Sequence, residues 1–370
     1  MADNNSEHSL NKAVVIGLGL IGGSVAKALK DKGCEVWGID TNHEREQVSL
    51  SKGLIDHVGV DSQTDIVFIA TVASKVVSAY RQVSDHLKES CIITDVASVK
   101  SEIVDQIRDP RFIGGHPMAG SEKIGPENAN SSIFFGATWV LTPTDITSMD
   151  LYSKLAGIIR DVFDADPIAL SVVEHDNFVA LVSHVPYLTA VSLMNLASES
   201  SRQEQFLLKL AAGGFRDMTR IASGSPDMWP DVCVQNSGEI AKVISKLIEY
   251  LNIIKTDIES KDKQGLFKKL IEAQSGREAL IKSRFKPSKL ATIRIAVQDK
   301  PGELLEILSI AKSLNVNIED VQLTHRPIED GSIDQTGILH LAVDQRDSEK
   351  LYDAIADGGH ITTLESEIGL

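Results

Sequence analysis

The side chain best suited to moving a proton is that of His116, in Gly114-Gly115-His116-Pro117 at the end of an apolar run. The unperturbed pKa of histidine lies nearest neutrality, so histidine suits removal of a hydroxyl proton as hydride leaves the same carbon. A lone histidine is more often structural. The neighbouring glycines and the strand-end position favour a catalytic role here.

Ser98 follows the preceding apolar run, in Asp95-Val-Ala-Ser98-Val-Lys100. Serine is a common N-cap, so Ser98 is expected to cap a helix that begins near Lys100. Its hydroxyl could also face a cofactor, because it lies at a strand end. Residue type alone favours the cap.

Two arginines, Arg216 and Arg220, follow a glycine pair, Gly213 and Gly214, that is expected to end a helix. Four residues apart, they lie on one helical face. Arginine binds carboxylates in a bidentate manner, so the pair could hold an acidic substrate. An ion pair with one of the 52 acidic residues is an equal alternative.

A long apolar helix predicted over residues 171–196 carries His175, Ser183 and Tyr187. His175 and Ser183 do not face the same way, so they are not interpreted as a metal pair. Pro186 removes the hydrogen bond to the carbonyl of Val182 and should kink the helix. The kink exposes polar groups for a site, or it bends an ordinary core helix.

The first apolar run of the chain, at residues 13–16, ends in a glycine-rich turn, Gly17-Leu18-Gly19-Leu20-Ile21-Gly22. The first glycine makes a tight turn, the second admits a pyrophosphate, and the third allows close packing of helix on strand. A second apolar run ends about 20 residues later in Asp40, where a ribose diol would be held. Asp40 would repel the extra phosphate of NADP, so NAD is favoured.

Short apolar runs alternate with amphipathic segments from residue 12 to about residue 143. This rhythm predicts an α/β fold of the Rossmann type, a doubly wound parallel sheet. Ligands of such sheets lie beyond the carboxyl ends of the strands. The residues at those ends are Asp40, Thr71, Asp95 to Ser98, Gly115 and His116.

Segments with the pattern of helices follow, at residues 149–163, 171–196, 202–212, 232–262 and 264–283. These segments predict an all-α domain that forms a dimer interface. A helix bundle within one chain would have the same sequence pattern. After a polar linker, a βαββαβ order predicts a small ferredoxin-like domain. The predicted domains span residues 10–168, 169–284 and 290–370.

Net charge, cysteine spacing and the length of the apolar runs exclude several classes of protein. The formal charge of −15 argues against binding to nucleic acid or to an anionic membrane. Cys34, Cys91 and Cys233 have no metal-binding spacing, so no metal is expected, and they are interpreted as reduced thiols of a cytoplasmic protein. Residues 1–12 lack a signal-peptide core, and no uninterrupted apolar run has the length of a membrane span.

Five segments together resemble the prephenate dehydrogenase family of tyrosine biosynthesis. They are GLGLIGGS, DVASVK, GGHPMAGSEKIG, EHDNFVALVSHVPY and GGFRDMTRIASGSPDMW. The final domain resembles an ACT domain through Val297 to Leu304 and through Asn317-Ile318. The match covers the chain after its first dozen residues.

The resemblance implies an NAD-dependent oxidative decarboxylation of prephenate to 4-hydroxyphenylpyruvate. It implies that His116 bonds the ring hydroxyl and acts as the base, and that Ser98 orients His116 near the nicotinamide. Arg220 would bind a substrate carboxylate. Ser183 and Gly213 would line the pocket, and Trp229 would reach it from the partner subunit of a homodimer.

The chain departs from the family at Tyr187, where many members have histidine in S-H-x-P-H. A neutral phenol can donate to a carboxylate but cannot carry positive charge, so Tyr187 bears on the choice between prephenate and arogenate. The ACT resemblance implies amino-acid binding, expected to be feedback by tyrosine, at Pro301, Gly302, Asn317 and Ile318. An ACT domain that only dimerises is the alternative.

The sequence is also compatible with three other functions. Arogenate dehydrogenase shares every motif. A non-catalytic sensor of NAD and an amino acid would not need His116, Ser98 and Arg220. A dehydrogenase for an unrelated 3-hydroxy acid would be expected to carry a catalytic lysine, which no motif supplies.

Overall fold

The computed structural model describes residues 10–120, 123–201, 207–224, 226–284, 290–298, 300, 302–325 and 336–366. The chain divides into two compact units, one ending at Leu251 and the other starting at Asn252. The division falls inside a helix, and each unit is described by itself.

An eight-stranded sheet in the order β3-β2-β1-β4-β5-β6-β7-β8 forms the first unit. The strands are β1 (Lys12–Ile16), β2 (Glu35–Ile39), β3 (His57–Val58), β4 (Ile66–Ile69), β5 (Ile92–Asp95), β6 (Phe112–Pro117), β7 (Thr138–Thr142) and β8 (Asp166–Ala169).

Helices cover the sheet and then continue without strands. They are α1 (Leu20–Asp31), α2 (His43–Ser51), α3 (Ala73–Val83), α4 (Ser101–Gln106), α5 (Met149–Phe163), α6 (Val172–Val179), α7 (Val185–Ser201), α8 (Gly213–Thr219), α9 (Trp229–Gln235), α10 (Ser237–Ser260) and α11 (Lys263–Arg284).

The Rossmann-type sheet predicted from the sequence is confirmed, with one correction to its direction. Strands β1 to β6 pair in parallel, but β7 runs antiparallel to β6 and β8 is parallel to β7. The parallel order therefore ends at β6. The loop from β6 to β7 needs no crossover helix, which is the usual requirement of a parallel connection.

Two apolar layers flank the sheet, as its Val- and Ile-rich strands require. One layer packs α1 and α5 against residues such as Phe68 and Trp139. The other packs α3 and α4 on the opposite face and includes Val232 of α9. Through Val232, the helical region rests against the nucleotide-binding sheet.

Helices α6 and α7 form one continuous rod joined by a π-helical turn, Ala180–His184. The disturbance predicted at Pro186 is a change of helix type just before the proline. Pro186 has no N–H to donate to the carbonyl of Val182, and the turn that precedes it is π-helical. By length and mean hydropathy, Val172–Ser200 could also cross a membrane, and a third of its apolar 18-residue window is buried within the protein.

Three helix predictions are wrong in detail. Gly213 begins α8 instead of ending a helix. Within the described part of residues 202–212, Leu207–Leu210 is a short 3-10 turn and not a helix. The helix predicted over 232–262 is two helices, α9 and α10, because the helical conformation is interrupted at Asn236.

The second unit contains a four-stranded antiparallel sheet in the order β10-β11-β9-β12. Its elements, in chain order, are β9 (Leu290–Gln298), α12 (Glu303–Ser313), β10 (Ile318–His325), β11 (Thr336–Asp344), α13 (Gln345–Asp357) and β12 (Thr362–Ser366). This is the predicted βαββαβ order. Both helices pack on one apolar face of the sheet.

Of the residues expected to bind an effector, Gly302 precedes α12 with a φ of 99°, a conformation that favours glycine. Asn317 is exposed, and Ile318 begins β10 and packs against the core of the small sheet. Pro301 lies outside the described residues.

Gly115 should tolerate no side chain, because a Cβ there would lie 2.6 Å from the carbonyl oxygen of Asp95 and 2.7 Å from Oγ1 of Thr94. We expect Gly115→Ala to lower the free energy of unfolding by about 2 kcal/mol, the cost of overpacking a core. Thermal unfolding followed by circular dichroism measures it. Gly120→Ala is the control, since no described residue has an atom within 4 Å of a Cβ at Gly120. Equal melting of the two variants would contradict the packing argument.

Candidate active site

The glycine-rich turn forms a cradle whose shape requires glycine. Gly17 has a φ of 93°, and its N–H donates to the carbonyl of Ile39 at 2.7 Å. A Cβ at Gly17 would lie 2.5 Å from the carbonyl oxygen of Ala70, and one at Gly22 would lie 1.8 Å from the carbonyl oxygen of Gly17. Gly19, by contrast, faces open space. The roles predicted for the first and third glycines therefore match the packing.

Gly19 is the N-cap of α1, so Leu20 and Ile21 open that helix. The first N–H groups of a helix are free to bind an anion. No acidic residue occupies the first turn of α1, which leaves this end suited to a pyrophosphate. The cradle fits the phosphates of a dinucleotide.

Asp40 lies at the end of β2 and is 9% exposed. Its carboxylate accepts hydrogen bonds from the N–H of Leu18, at 2.7 Å, and of Asn42, at 2.8 Å. The guanidinium of Arg45 lies 3.7 Å away. Asp40 is thus fixed against the glycine turn, beside the place where a ribose diol would lie. The nearest cation, Arg45, lies beside the carboxylate of Asp40 itself.

Thr71 lies against the glycine turn, because its Cγ2 would be 3.2 Å from a Cβ at Gly17. Ser98 is half-buried in the loop after β5. Its expected role as N-cap is wrong: α4 begins at Ser101 without a side-chain cap from its own N-cap residue, Lys100. Among the described residues, the hydroxyl of Ser98 forms no hydrogen bond.

His116, at the end of β6, is oriented by another histidine. Its Nδ1 lies 2.8 Å from Nε2 of His175, and Nδ1 of His175 lies 2.7 Å from Oδ1 of Asp176. Nε2 of His116 has no hydrogen-bond partner within the part of the chain that the structure describes. The family resemblance implies Ser98 as the orienting group. In this structure, His175 holds that place.

Asp176 also holds the start of α4. Its carboxylate accepts hydrogen bonds from the backbone N–H of Lys100 at 2.9 Å, from that of Ser101 at 2.8 Å, and from the Ser101 hydroxyl. These N–H groups are the ones that a helix N-terminus leaves unpaired. The cap that sequence had assigned to Ser98 is therefore supplied by α6, 75 residues further along the chain.

A buried ion pair completes the arrangement. The ammonium of Lys100, which is fully buried, donates to Asp95 and to the carbonyls of Ala97 and Val99. Asp95 also accepts the N–H of Gly115 at 3.1 Å. These hydrogen bonds form a closed ring. It runs from Gly115 to Asp95, Lys100, Asp176, His175 and His116, and the backbone joins His116 back to Gly115. We call these residues the hydrogen-bond circuit.

Burial lowers the pKa of His116 well below its ordinary value, and nearby His175, Lys100 and His184 lower it further when they carry charge. Burial raises the pKa of Asp176, but hydrogen bonds from His175 and Ser101 outweigh this and lower it overall. The circuit therefore contains a neutral His116 and an ionised Asp176 at neutral pH.

A second cluster lies next to the π-helical turn. His184 is buried, with its pKa lowered to about 4, mainly by burial. Its ring meets that of Trp229 edge to face, and Trp229 stacks on Tyr187 with ring centroids 3.6 Å apart. Burial raises the pKa of Tyr187, so its phenol stays neutral. Trp229 thus contacts its own chain, while its expected reach into a partner subunit stays a prediction.

The remaining predicted residues lie in and beside this helical region. Ser183 is half-buried within the π-helical turn. Gly213 begins α8, which carries Arg216, and Arg220 begins the 3-10 turn that follows. Both arginines are exposed, and among the described residues neither forms an ion pair. The alternative of a structural salt bridge therefore finds no support there.

Sequence reasoning missed the contacts of His175, Asp176 and Lys100. One signal was available: Ser171 and Glu174 form a reciprocal capping box, which places His175 and Asp176 in the first turns of α6. Their partners are 59 to 76 residues away, beyond the reach of local patterns. Within the described residues no group of three or more His, Cys, Asp or Glu side chains could hold a metal ion.

Comparison with known proteins agrees with this geometry. Residues 25–162 match the nucleotide-binding domain of prephenate dehydrogenase, and residues 171–272 match its dimerization domain. The prephenate dehydrogenase of Bacillus subtilis is 31% identical over 351 residues, which cover 91% of this chain and 93% of the relative. A cyclohexadienyl dehydrogenase of Zymomonas mobilis is 29% identical and covers 72% of this chain and 94% of its own length.

Solved structures agree as well. Prephenate dehydrogenase of Aquifex aeolicus, in complex with hydroxyphenyl propionate and NAD+, has a TM-score of 0.69 and 30% identity, covering 74% of this chain and 99% of its own. Arogenate dehydrogenase of Synechocystis has a TM-score of 0.65 and 27% identity, covering 73% and 99%. With its glycine cradle, its acid at the end of β2 and these matches over both domains, this chain is an NAD-dependent oxidoreductase that belongs to the prephenate dehydrogenase family.

Proposed function

We propose that the protein oxidises prephenate to 4-hydroxyphenylpyruvate and carbon dioxide, with His116 as the proton acceptor. The observation that carries this proposal is the bond from His116 Nδ1 to His175, which leaves Nε2 at the strand end to accept a proton. The relatives from Bacillus subtilis and Lactococcus lactis, which cover 91% and 83% of this chain, are prephenate dehydrogenases.

Gly17, Gly19, Leu20, Ile21 and Gly22 would hold the pyrophosphate, with Asp40 on the ribose and Thr71 and Ser98 near the nicotinamide end. When bound, NAD accepts the hydride from the carbon that bears the hydroxyl. His116 takes the hydroxyl proton. The bond between the ring and its carboxylate breaks, its electron pair enters the ring, and carbon dioxide leaves. The enzyme must chiefly position its reactants, because the ring becomes aromatic.

Arg216 and Arg220 are the proposed grip on the substrate carboxylates, since both are exposed cations without an ion pair among the described residues. Ser183, Gly213, Tyr187 and Trp229 would line the same pocket. Tyr187 can donate a hydrogen bond to a carboxylate or a ketone but cannot offer charge. Arogenate, which carries an amino group where prephenate carries a ketone, is the alternative substrate.

We further propose a homodimer built on residues 169–284, between a nucleotide-binding domain over 10–168 and an ACT domain over 290–370. The match to a dimerization domain supports the pairing. So do the large apolar side chains left exposed on the helical region, including Leu181, Val182, Leu196 and Val234, each about three-fifths exposed or more. The formal charge of −15 disfavours anionic partners, and we propose a cytoplasmic protein that binds no nucleic acid or membrane.

His116→Asn should lower kcat for prephenate by about 10³-fold, because general bases contribute about 10² to 10⁴. Binding of NAD, followed by fluorescence titration, should not change. His86→Asn, at an exposed histidine of the same domain, is the matched control. Near-normal turnover by His116→Asn would remove this residue from the mechanism.

Arg220→Ala should raise the Michaelis constant for prephenate by about 10- to 100-fold with a small change in kcat, since a charge-assisted hydrogen bond contributes about 1.5–3 kcal/mol. Steady-state kinetics measure both constants. Arg216→Ala on the adjoining helix is the comparison and should have a smaller effect. If neither substitution changes the Michaelis constant, the substrate carboxylates are held elsewhere.

Tyrosine is the proposed effector, bound near Pro301, Gly302, Asn317 and Ile318. The βαββαβ order and the left-handed turn at Gly302 support this site. Truncation after Arg284 should keep activity and abolish inhibition by tyrosine. Inhibition that persists in the truncated enzyme would assign the effector to the active site, and full-length enzyme that ignores tyrosine would leave the domain a role in pairing alone.

A further inference from the structure

We propose that Asp176 is a positioning residue that sets which ring nitrogen of His116 carries the proton, acting through His175. The catalytic consequence rests on the proposed function, but the proton arrangement itself can be measured without substrate. Asp176 is 2% exposed and contacts no predicted substrate or cofactor group. Its influence on chemistry therefore passes through its neighbours.

Four donors converge on the Asp176 carboxylate. They are the N–H groups of Lys100 and Ser101, the Ser101 hydroxyl, and Nδ1 of His175. Because an ionised carboxylate only accepts hydrogen bonds, Nδ1 of His175 must carry a proton. The backbone N–H groups cannot reverse their direction, so they hold the carboxylate in this role.

The next bond transmits this choice to His116. With Nδ1 of His175 protonated and the ring neutral, Nε2 of His175 is an acceptor. Nδ1 of His116, 2.8 Å away, must then donate. The remaining nitrogen, Nε2 of His116, holds a lone pair. This is the form that can take a proton from a hydroxyl.

The charges of the circuit favour that transfer. Lys100 and Asp95 form a closed ion pair, so the carboxylate of Asp176 beside His175 is the charge of the circuit that no cation balances. A proton taken by His116 can be matched by transfer of the Nδ1 proton to His175, which places the positive charge beside Asp176. Burial makes His116 alone a weak base, and this arrangement compensates. Two further titratable groups of the described residues act on the circuit: His184, on the π-helical turn, faces His116, and Glu239, on α10, interacts with Asp176.

An amide at position 176 cannot satisfy both sides. If the amide oxygen faces Ser101, it keeps both bonds from Ser101, and the NH2 group takes the position of Oδ1, where it cannot accept the N–H of Lys100. The NH2 group then donates to Nδ1 of His175, and the proton moves to Nε2 of His175. His116 is then protonated on Nε2 and cannot act as a base. If the amide is turned round, its NH2 group meets the N–H of Ser101, and the cap of α4 is lost.

The direct test is the nitrogen-15 resonances of labelled histidines in the full-length protein, which distinguish the two tautomers. In the wild type, His116 and His175 should both be protonated on Nδ1. In Asp176→Asn, both should be protonated on Nε2. Protonation of His116 on Nε2 in the wild type, or the same tautomer in both proteins, would overturn the proposal. The wild-type spectrum decides even if the variant does not fold.

Kinetics with prephenate and NAD provide the second readout. Asp176→Asn should lower kcat by about 10²- to 10³-fold, because His116 in the wrong tautomer can no longer act as a general base. The acid limb of its pH profile should move to lower pH, because loss of a negative charge lowers the pKa of the histidine pair. Ser101→Ala removes one donor to Asp176 but leaves its charge, so it should alter stability and leave kcat within about threefold.

The outcomes separate the two proposals. Correct tautomers with no turnover of prephenate by the wild type would overturn the proposed function and leave the role of Asp176 intact. Turnover with an unmoved pH profile and equal kcat losses in Asp176→Asn and Ser101→Ala would make Asp176 a structural cap, which overturns this inference.

Discussion

The carboxylate of Asp176 joins segments that are far apart in the sequence. It bonds the start of α4, which follows the loop that carries Ser98, and it bonds His175, which in turn bonds His116. Buried carboxylates are stable only when their hydrogen-bonding capacity is filled, and this one accepts four hydrogen bonds. The relative position of the sheet and the helical region at the site depends on that condition.

The ion pair of Lys100 and Asp95 is the fully buried part of the circuit. Both side chains are fully buried, so neither charge can be left alone without a large cost in free energy. Space for the lysine comes from the glycines of β6: a Cβ at Gly114 would lie 3.0 Å from Cδ of Lys100 and closer still to Oγ1 of Thr142. The two glycines that precede His116 are therefore required by packing.

Much of this architecture could be predicted from local pattern. The strand ends that carry Asp40, Thr71 and His116, the glycine turn and the βαββαβ order all follow from spacing and periodicity. The antiparallel β7 could not be predicted, because strand direction depends on pairing and not on residue type. The role of Ser98 as a cap failed for a similar reason: Asp176 competes for the same N–H groups from another part of the chain. His175 was visible only as a polar residue on an apolar helix.

The oxidation of prephenate at this site is tested most directly by NADH formation with the purified full-length protein and prephenate or arogenate, each at matched concentration. Turnover with prephenate is expected to be well above that with arogenate. Turnover with arogenate alone would mean that the pocket at Tyr187 selects an amino group, and absence of turnover with both would contradict the assignment of the site as a whole.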